Sequence, residues 1–354
     1  MWPAFKRLSF GFALLALTSS VLLISDWNRR RPAARRVPHL ALLQVSSLEA
    51  AEEAAQGMID GLAESGLTNA QNFLLTRYNA EGDVALANSI AKEITDGRFD
   101  LVLTLGTLCL QAVANANKAG KAIHVFGLTA DPFSAGVGLR RDDPLDHPKH
   151  LVGVGSMPPV AETFRLAKQL FPALHSVGVL WNVAEANSAA QIPISRKVAA
   201  DLGLVLLEAN VDSSAGVFEA ASSLVARNVQ ALWIGADVTI LTARGSVLAA
   251  ARKGGIPVFT SIPGTAQQGA LFDTGANYHE LGRLSGVLAG RVLNGTDPAS
   301  LPVEDVQPLK LLVNTQALKG LRDPWRLPED VLHKAAVVID ATGVHEKTTT
   351  EAAS

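Results

Sequence analysis

The sequence predicts an α/β fold of two doubly wound, Rossmann-like units. Compact leucine- and valine-rich runs alternate with helical patterns from residue 39 onwards, the rhythm of a parallel sheet flanked by helices. The alternation breaks at the Asp-, Pro- and Arg-rich stretch 140–150 and then starts afresh, so two sets of the same order follow one another. The length of 354 residues, with 48% hydrophobic and 18% charged side chains, provides for two medium cores and excludes overall disorder.

In the first set, residues 39–45 read as a buried strand. Ser46-Ser47-Leu48-Glu49 then reads as a capping box before a helix with Ala51, Ala55, Met58, Ile59 and Leu62 at helical spacing. Residues 72–78 are a second strand; Asp83 caps a helix over 84–96, which Gly97 ends. Strand 99–105, helix 107–119 and strand 122–128 complete the set, and Pro132 stops the ladder. The second set places strands at 151–154, 177–181, 204–208, 231–235 and 256–260, with helices at 160–170, 188–202, 214–226 and 240–253 between them. A helix over 277–293, closed by Gly295, and a late strand at 309–313 follow; the tail beyond Gly343 reads as frayed. The two sets match in order and not in residues, which is a duplication of architecture without a sequence repeat.

Several function classes are excluded on composition. A net charge of −2 offers no footprint for nucleic acid, and the eight histidines are scattered, so neither DNA binding nor a metal centre is expected. The single cysteine, Cys109, rules out an intrachain disulfide and lies in a small-residue helical pattern, where burial as an inert thiol is expected. Gly153-Val154-Gly155-Ser156 lacks the third glycine of a dinucleotide fingerprint, and no phosphate-binding loop or nucleophile elbow occurs. No cofactor and no catalytic constellation is expected.

Residues 1–36 read as an export signal or membrane anchor. Lys6-Arg7 precede an uncharged run over 8–24, and arginines at 29–31 and 35–36 follow it. The absence of a small-residue cleavage site favours an uncleaved anchor, whereas the positive charge after the run favours retaining the next domain in the cytoplasm. Orientation stays open at this point.

The middle of the chain, residues 175–191, reads as strand, loop, helix, with Asn187 and Ser188 at the helix start. The first turn of a helix leaves N–H groups unpaired and carries partial positive charge, so it either takes cap side chains or receives an anion. Both uses suit Asn187 and Ser188.

Six stretches together resemble the ABC-transporter substrate-binding proteins of the type I periplasmic-binding-protein fold, in the group that binds tryptophan and tyrosine. They are GMIDGLAESG at 57–66, YNAEGDVALANSIAKEI at 78–94, TADPFSAG at 129–136, LWNVAEANS at 180–188, IPVFTSIPGTAQQGAL at 256–271 and ANYHELGRLSG at 276–286. The resemblance implies two Rossmann-like lobes joined by a hinge, with a first lobe of residues 37–150 and 269–306, a second of 151–268 and 307–345, and 346–354 as a frayed tail. It places Thr107 and Asp131 from the first lobe, with Asn182, Glu185, Asn187, Ser188 and Asp237 from the second, around a ligand in the cleft. Two positions depart from the group's pattern: Ser46-Ser47-Leu48 stands where relatives commonly carry a His-Pro pair, and Asp237-Val238-Thr239 where Asp-Asn-Thr is common.

The function so implied is an extracytoplasmic solute receptor, periplasmic and tethered by an N-terminal transmembrane anchor, that feeds an amino acid or similar carboxylate to the permease of an ABC importer. It is expected to act as a monomer and to do no covalent chemistry. The alternative is a membrane-anchored sensing module in which the same closing lobes report to a signalling partner.

Overall fold

The computed structural model describes residues 17–21 and 37–347. Residues 17–21 are helical, and most of the apolar run 8–24 lies outside the described residues, as does 348–354. Among the described residues no helix is long and apolar enough to cross a membrane.

From residue 39 the chain builds two sheets. The first holds β1 (His39–Gln44), β2 (Leu74–Asn79), β3 (Leu101–Leu105), β4 (His124–Thr129) and β5 (Leu151–Gly155), joined at its edge by the short β11 (Glu304–Asp305), in the order β11-β5-β4-β3-β1-β2. Helices α1 (Glu49–Glu64), α2 (Val84–Ile94) and α3 (Thr107–Ala116) connect its strands. After α4 (Val160–Leu170), the second sheet takes β6 (Ser176–Trp181), β7 (Val205–Asn210), β8 (Ala231–Ile234), β9 (Val258–Thr260) and β10 (Phe272–Ala276). Helices α5 (Ala186–Asp201), α6 (Val217–Ala226), α7 (Val238–Thr242) and α8 (Arg244–Gly254) lie between them. The chain ends with α9 (Tyr278–Leu293), β12 (Leu309–Asn314), α10 (Glu329–Lys334), β13 (Val337–Asp340) and β14 (Gly343–Glu346). The second order is β14-β13-β12-β10-β9-β8-β6-β7.

Both sheets share one winding: the first strand sits between the second and the third, and the fourth and fifth follow outward. The winding reverses direction beside that first strand, so the crevice for a ligand opens between β1 and β3 in one lobe and between β6 and β8 in the other.

Several sequence-based boundaries are corrected. Leu151–Gly155 pairs in parallel with β4 and belongs to the first sheet, so the 140–150 stretch is a loop that returns to its own lobe. Its composition resembles a crossing because any long surface loop is polar. Likewise β10 pairs with β9, so the chain returns to the first lobe after Ala276 and not at 269. The helix expected over 240–253 is two helices broken at Ala243. No capping box forms at Ser46 to Glu49: α1 starts after Leu48 without a side-chain cap. Gly343–Glu346, expected to fray, pairs antiparallel with β13. By contrast, Asp83 caps α2, accepting from the Leu86 N–H at 2.7 Å.

The second lobe's core is an aromatic cluster. Phe164 meets Trp233 edge-on at 5.1 Å between ring centres, and Phe259 stacks on Phe272 at 5.3 Å. In the first lobe the tightest packing is α1 against α9. Gly57 and Gly61 on α1 face the turns of α9 that carry Gly282 and Gly286, and the spacing of four from one position to the next puts each pair on one helix stripe. A Cβ at Gly57 would strike the His279 carbonyl, at Gly61 the Arg283 carbonyl, at Gly282 that of Ala54 and at Gly286 that of Met58. The two backbones therefore touch, and no larger residue fits at these positions.

Gly61→Ala is expected to lower unfolding stability by about 1 to 3 kcal/mol, because a methyl group driven into backbone cannot be relieved by a rotamer change. Gly245→Ala, on α8 with open space around it, is expected to be neutral or to gain up to about 1 kcal/mol from helix propensity. Urea unfolding of both variants beside the parent checks the contrast; equal effects would show that the α1–α9 approach is not constrained.

Candidate functional site: a cleft between the two lobes

A cavity of about 140 Å³ lies between the two sheets, walled by both lobes. It is lined by Val45 and Ser46 after β1, Gly106 to Leu108 after β3, Leu128 at the end of β4 and Ala130 just beyond it, Ser156 after β5, Ala184 to Asn187 after β6 and Ala236 to Val238 after β8. Each group lies at or just past the carboxyl end of a parallel strand, which is where the winding opens the crevice.

The walls are mostly small or aliphatic, with Ala50, Ala51, Leu241, Ile262 and Leu281 contributing and Tyr278 as the aromatic member. Glu185 and Asp237 are the ionised-type side chains at the surface of the cavity, and no Lys, Arg or His lines it among the described residues. Any attraction for an anion must therefore come from N–H groups and hydroxyls.

The helix starts provide them. Helices α2, α7 and α9 are capped by Asp83, Asp237 and Asn277. Helices α1, α3 and α5 have no side-chain cap, and the first turn of each lines the cavity. At α3 the N-cap is Gly106, at φ 104°, with an added Cβ only 2.7 Å from Val45 Cβ, so both conformation and space demand glycine. Glycine also leaves the N–H groups of Thr107 and Leu108 without a partner among the described residues. Thr107 is 5% exposed and Ser156 8%, and both carry hydroxyls at the cavity wall. At α5 the N–H groups of Ala186 and Asn187 are equally open.

The two carboxylates are held by their own lobe. Glu185 accepts from the N–H groups of Val238 and Thr239 at 2.7 and 2.9 Å, from Thr239 Oγ1 at 2.7 Å and from Asn187 Nδ2 at 3.1 Å. Asp237 accepts from the N–H groups of Ile240 and Asn182 at 2.9 and 2.7 Å. Burial, and next the charge of Glu185, push Asp237 up to about 7 against these donors.

The expected site residues thus separate. Thr107, Glu185, Asn187 and Asp237 line the cavity; Asp131, Asn182 and Ser188 do not. Asp131 closes its own turn, accepting from the Phe133 N–H at 3.1 Å and pairing with Arg141 at 2.8 Å. Asn182 braces the loop after β6 through Thr239 Oγ1 and the Ala184 N–H. Ser188 is 4% exposed, within the first turn beside Asp237, and Glu185 occupies the cap position. Asn187 is not a cap either: its amide nitrogen donates to the Ala236 carbonyl at 2.7 Å.

Ser46, Gln111, Ser156 and Tyr278 also line the cavity and were not among the expected residues. Gln111 was discoverable, lying one helical turn beyond Thr107 on the same face. Gln191, 1% exposed, holds Ala236 and Asn187 in place from α5 through three hydrogen bonds, and nothing in its sequence context marks it.

Two lobes with a walled cleft at the switch points of both sheets define a ligand-binding protein that works by enclosing its solute. The chain belongs to the family of ABC transporter substrate binding proteins, whose match spans residues 39–339. Members of that family bind small solutes and do not transform them. The chain is 26% identical over 303 residues to a tyrosine-binding protein of Clostridioides difficile, covering 86% of each. It is similar to a Streptococcus pneumoniae domain solved in complex with L-Trp, at 25% identity, TM-score 0.79, and coverage of 85% of this chain and 99% of that one. A ligand-free, open substrate binding protein from Clostridium difficile, at 26% identity and coverage of 83% and 97%, gives a TM-score of 0.63.

Asp237 gives a pH prediction. Unfolded, its carboxyl releases a proton near 3.8; folded, near 7, so its contribution to stability is complete below the lower value and is lost as pH rises through the upper one. Asn at this position keeps an acceptor for the Ile240 N–H and does not titrate. Between about pH 5 and about pH 8 the parent's melting temperature is expected to fall relative to that of Asp237→Asn. Thermal melts across that range check this, and a constant gap between the two proteins would refute it.

Proposed function

We propose that this chain is the extracytoplasmic receptor of an ABC importer, delivering an amino acid or closely related carboxylate with a neutral, apolar side chain to its permease. The observation that carries the reading is the pairing of two uncapped helix starts, α3 from one lobe and α5 from the other, over a cavity with aliphatic walls and no cationic side chain. Uncapped helix starts favour a carboxylate, whose charge-assisted hydrogen bonds to N–H groups are stronger than neutral ones. The walls favour an apolar remainder. A second carboxylate on the ligand would meet no cation, and a basic side chain would meet two acids already engaged by their own donors. The tyrosine- and tryptophan-binding relatives fit this chemistry.

Because α3 and α5 belong to different lobes, a carboxylate between their first turns has both sets of donors only when the lobes are closed. Binding and closure are then one equilibrium, and the closed face is what a permease would read.

The test is calorimetric titration of the purified chain with L-tryptophan, L-tyrosine, their carboxamides, L-glutamate and L-arginine. The free acids of the aromatic pair are expected to bind, with their carboxamides weaker by about tenfold or more. Equal binding of acid and amide, or a preference for glutamate or arginine, would sink the reading.

A further inference from the structure

An amino acid also carries an ammonium group, and the two acids of the cleft are poorly placed to receive it. Glu185 already accepts four hydrogen bonds, and each oxygen of Asp237 accepts a backbone N–H. Both serve the start of α7 and the loop after β6.

Two amide side chains remain, one from each lobe. Gln111 on α3 donates from Nε2 to the Ala135 carbonyl at 2.9 Å. Asn187 on α5 donates from Nδ2 to the Ala236 carbonyl at 2.7 Å and to Glu185 at 3.1 Å. A backbone carbonyl only accepts, so these contacts decide which end of each amide is nitrogen and which is oxygen. The oxygens, Oε1 of Gln111 and Oδ1 of Asn187, are left without a donor among the described residues, and both side chains line the cavity. Helices α3 and α5 approach one another across the cleft. Gln111 lies one turn into α3 from Thr107, so acceptor and open helix start are separated by about the 5 to 6 Å that separates side chains at this spacing.

We propose that Gln111 and Asn187 together seat the ligand's ammonium group through their amide oxygens, one from each lobe, and that neither Glu185 nor Asp237 does so. This rests on the reading of the ligand as an amino acid. A neutral seat has a consequence for selectivity: an amine left out of the ligand leaves two buried oxygens unpaired, while an acidic seat would leave a buried charge. The seat also needs both lobes, so the ammonium, like the carboxylate, is fully bound only in the closed form.

The experiment compares L-tyrosine and L-tryptophan with the matching arylpropionates, which lack only the amine, on the full chain and on Gln111→Met, Asn187→Leu and Asp237→Asn, each first checked by thermal melting. The parent is expected to bind the amino acids at least about tenfold tighter than the arylpropionates. Gln111→Met and Asn187→Leu are each expected to cut that ratio by about fivefold or more while binding the arylpropionates as the parent does, and Asp237→Asn is expected to keep the ratio. A ratio that survives in a folded Gln111→Met or Asn187→Leu protein, or that collapses in Asp237→Asn, overturns the assignment. Gln111→Met loses one hydrogen bond, to the Ala135 carbonyl, and touches neither the loop after β6 nor that after β8, so in folded form it decides alone if Asn187→Leu does not fold. Equal binding of amino acid and arylpropionate by the parent overturns the ammonium seat and leaves the carboxylate reading standing. No binding of either amino acid by the parent overturns the function reading itself.

Discussion

The contact of α1 with α9 is the constraint on which the two-lobe arrangement depends. Helix α9 follows directly from β10, a strand of the second sheet, yet it packs on α1 and β4 of the first lobe. Backbone touches backbone at Gly57, Gly61, Gly282 and Gly286, so α9 has little freedom to slide or tilt against its partner. Such a junction ties the end of one sheet to the body of the other lobe and leaves motion to the connecting segments around Gly155, Ala276 and Asp305. Side chains at the junction reinforce it from outside: His279 meets Asp60 and Arg283 meets Glu64, joining the same two helices at the surface. Exposed pairs of this kind add little to stability, so the glycine packing carries the constraint.

The same junction places the cavity. With each sheet wound in one order, the carboxyl ends beside β1 and β6 present their loops toward a common space, and the helix starts that follow those loops point into it. Three of these starts lack a cap and line the cavity, while the acids that would otherwise act there are drawn into capping α7. Positive partial charge in the cleft consequently comes from backbone dipoles and not from side chains.

Much of the fold was legible in the residues. The alternation of apolar runs and helical spacing located the strands of both sheets, and Asp83 and Asn277 marked helix starts that the structure keeps, because a cap acts within one turn of chain. The misplacement of β5 and the missed β10, β11, β13 and β14 share a cause. Which sheet a strand joins depends on partners far away in sequence, and two- to five-residue strands carry too few side chains to signal it.

For the site, the local chemistry of the chain determined that Thr107, Glu185, Asn187 and Asp237 lie at carboxyl ends of strands and near helix starts, since strand, loop and helix signals are short-range. Tertiary structure alone decided what each group faces. Glu185 was drawn onto the start of α7, and Asn187 turned its nitrogen inward, because the loops after β6 and β8 are neighbours in the sheet though some fifty residues apart in the chain. Gln111, Ser156 and Gln191 entered the site for the same reason. A hydrogen-bonding side chain has several possible partners along its own sequence, and only the packing of distant strands removes all but one of them.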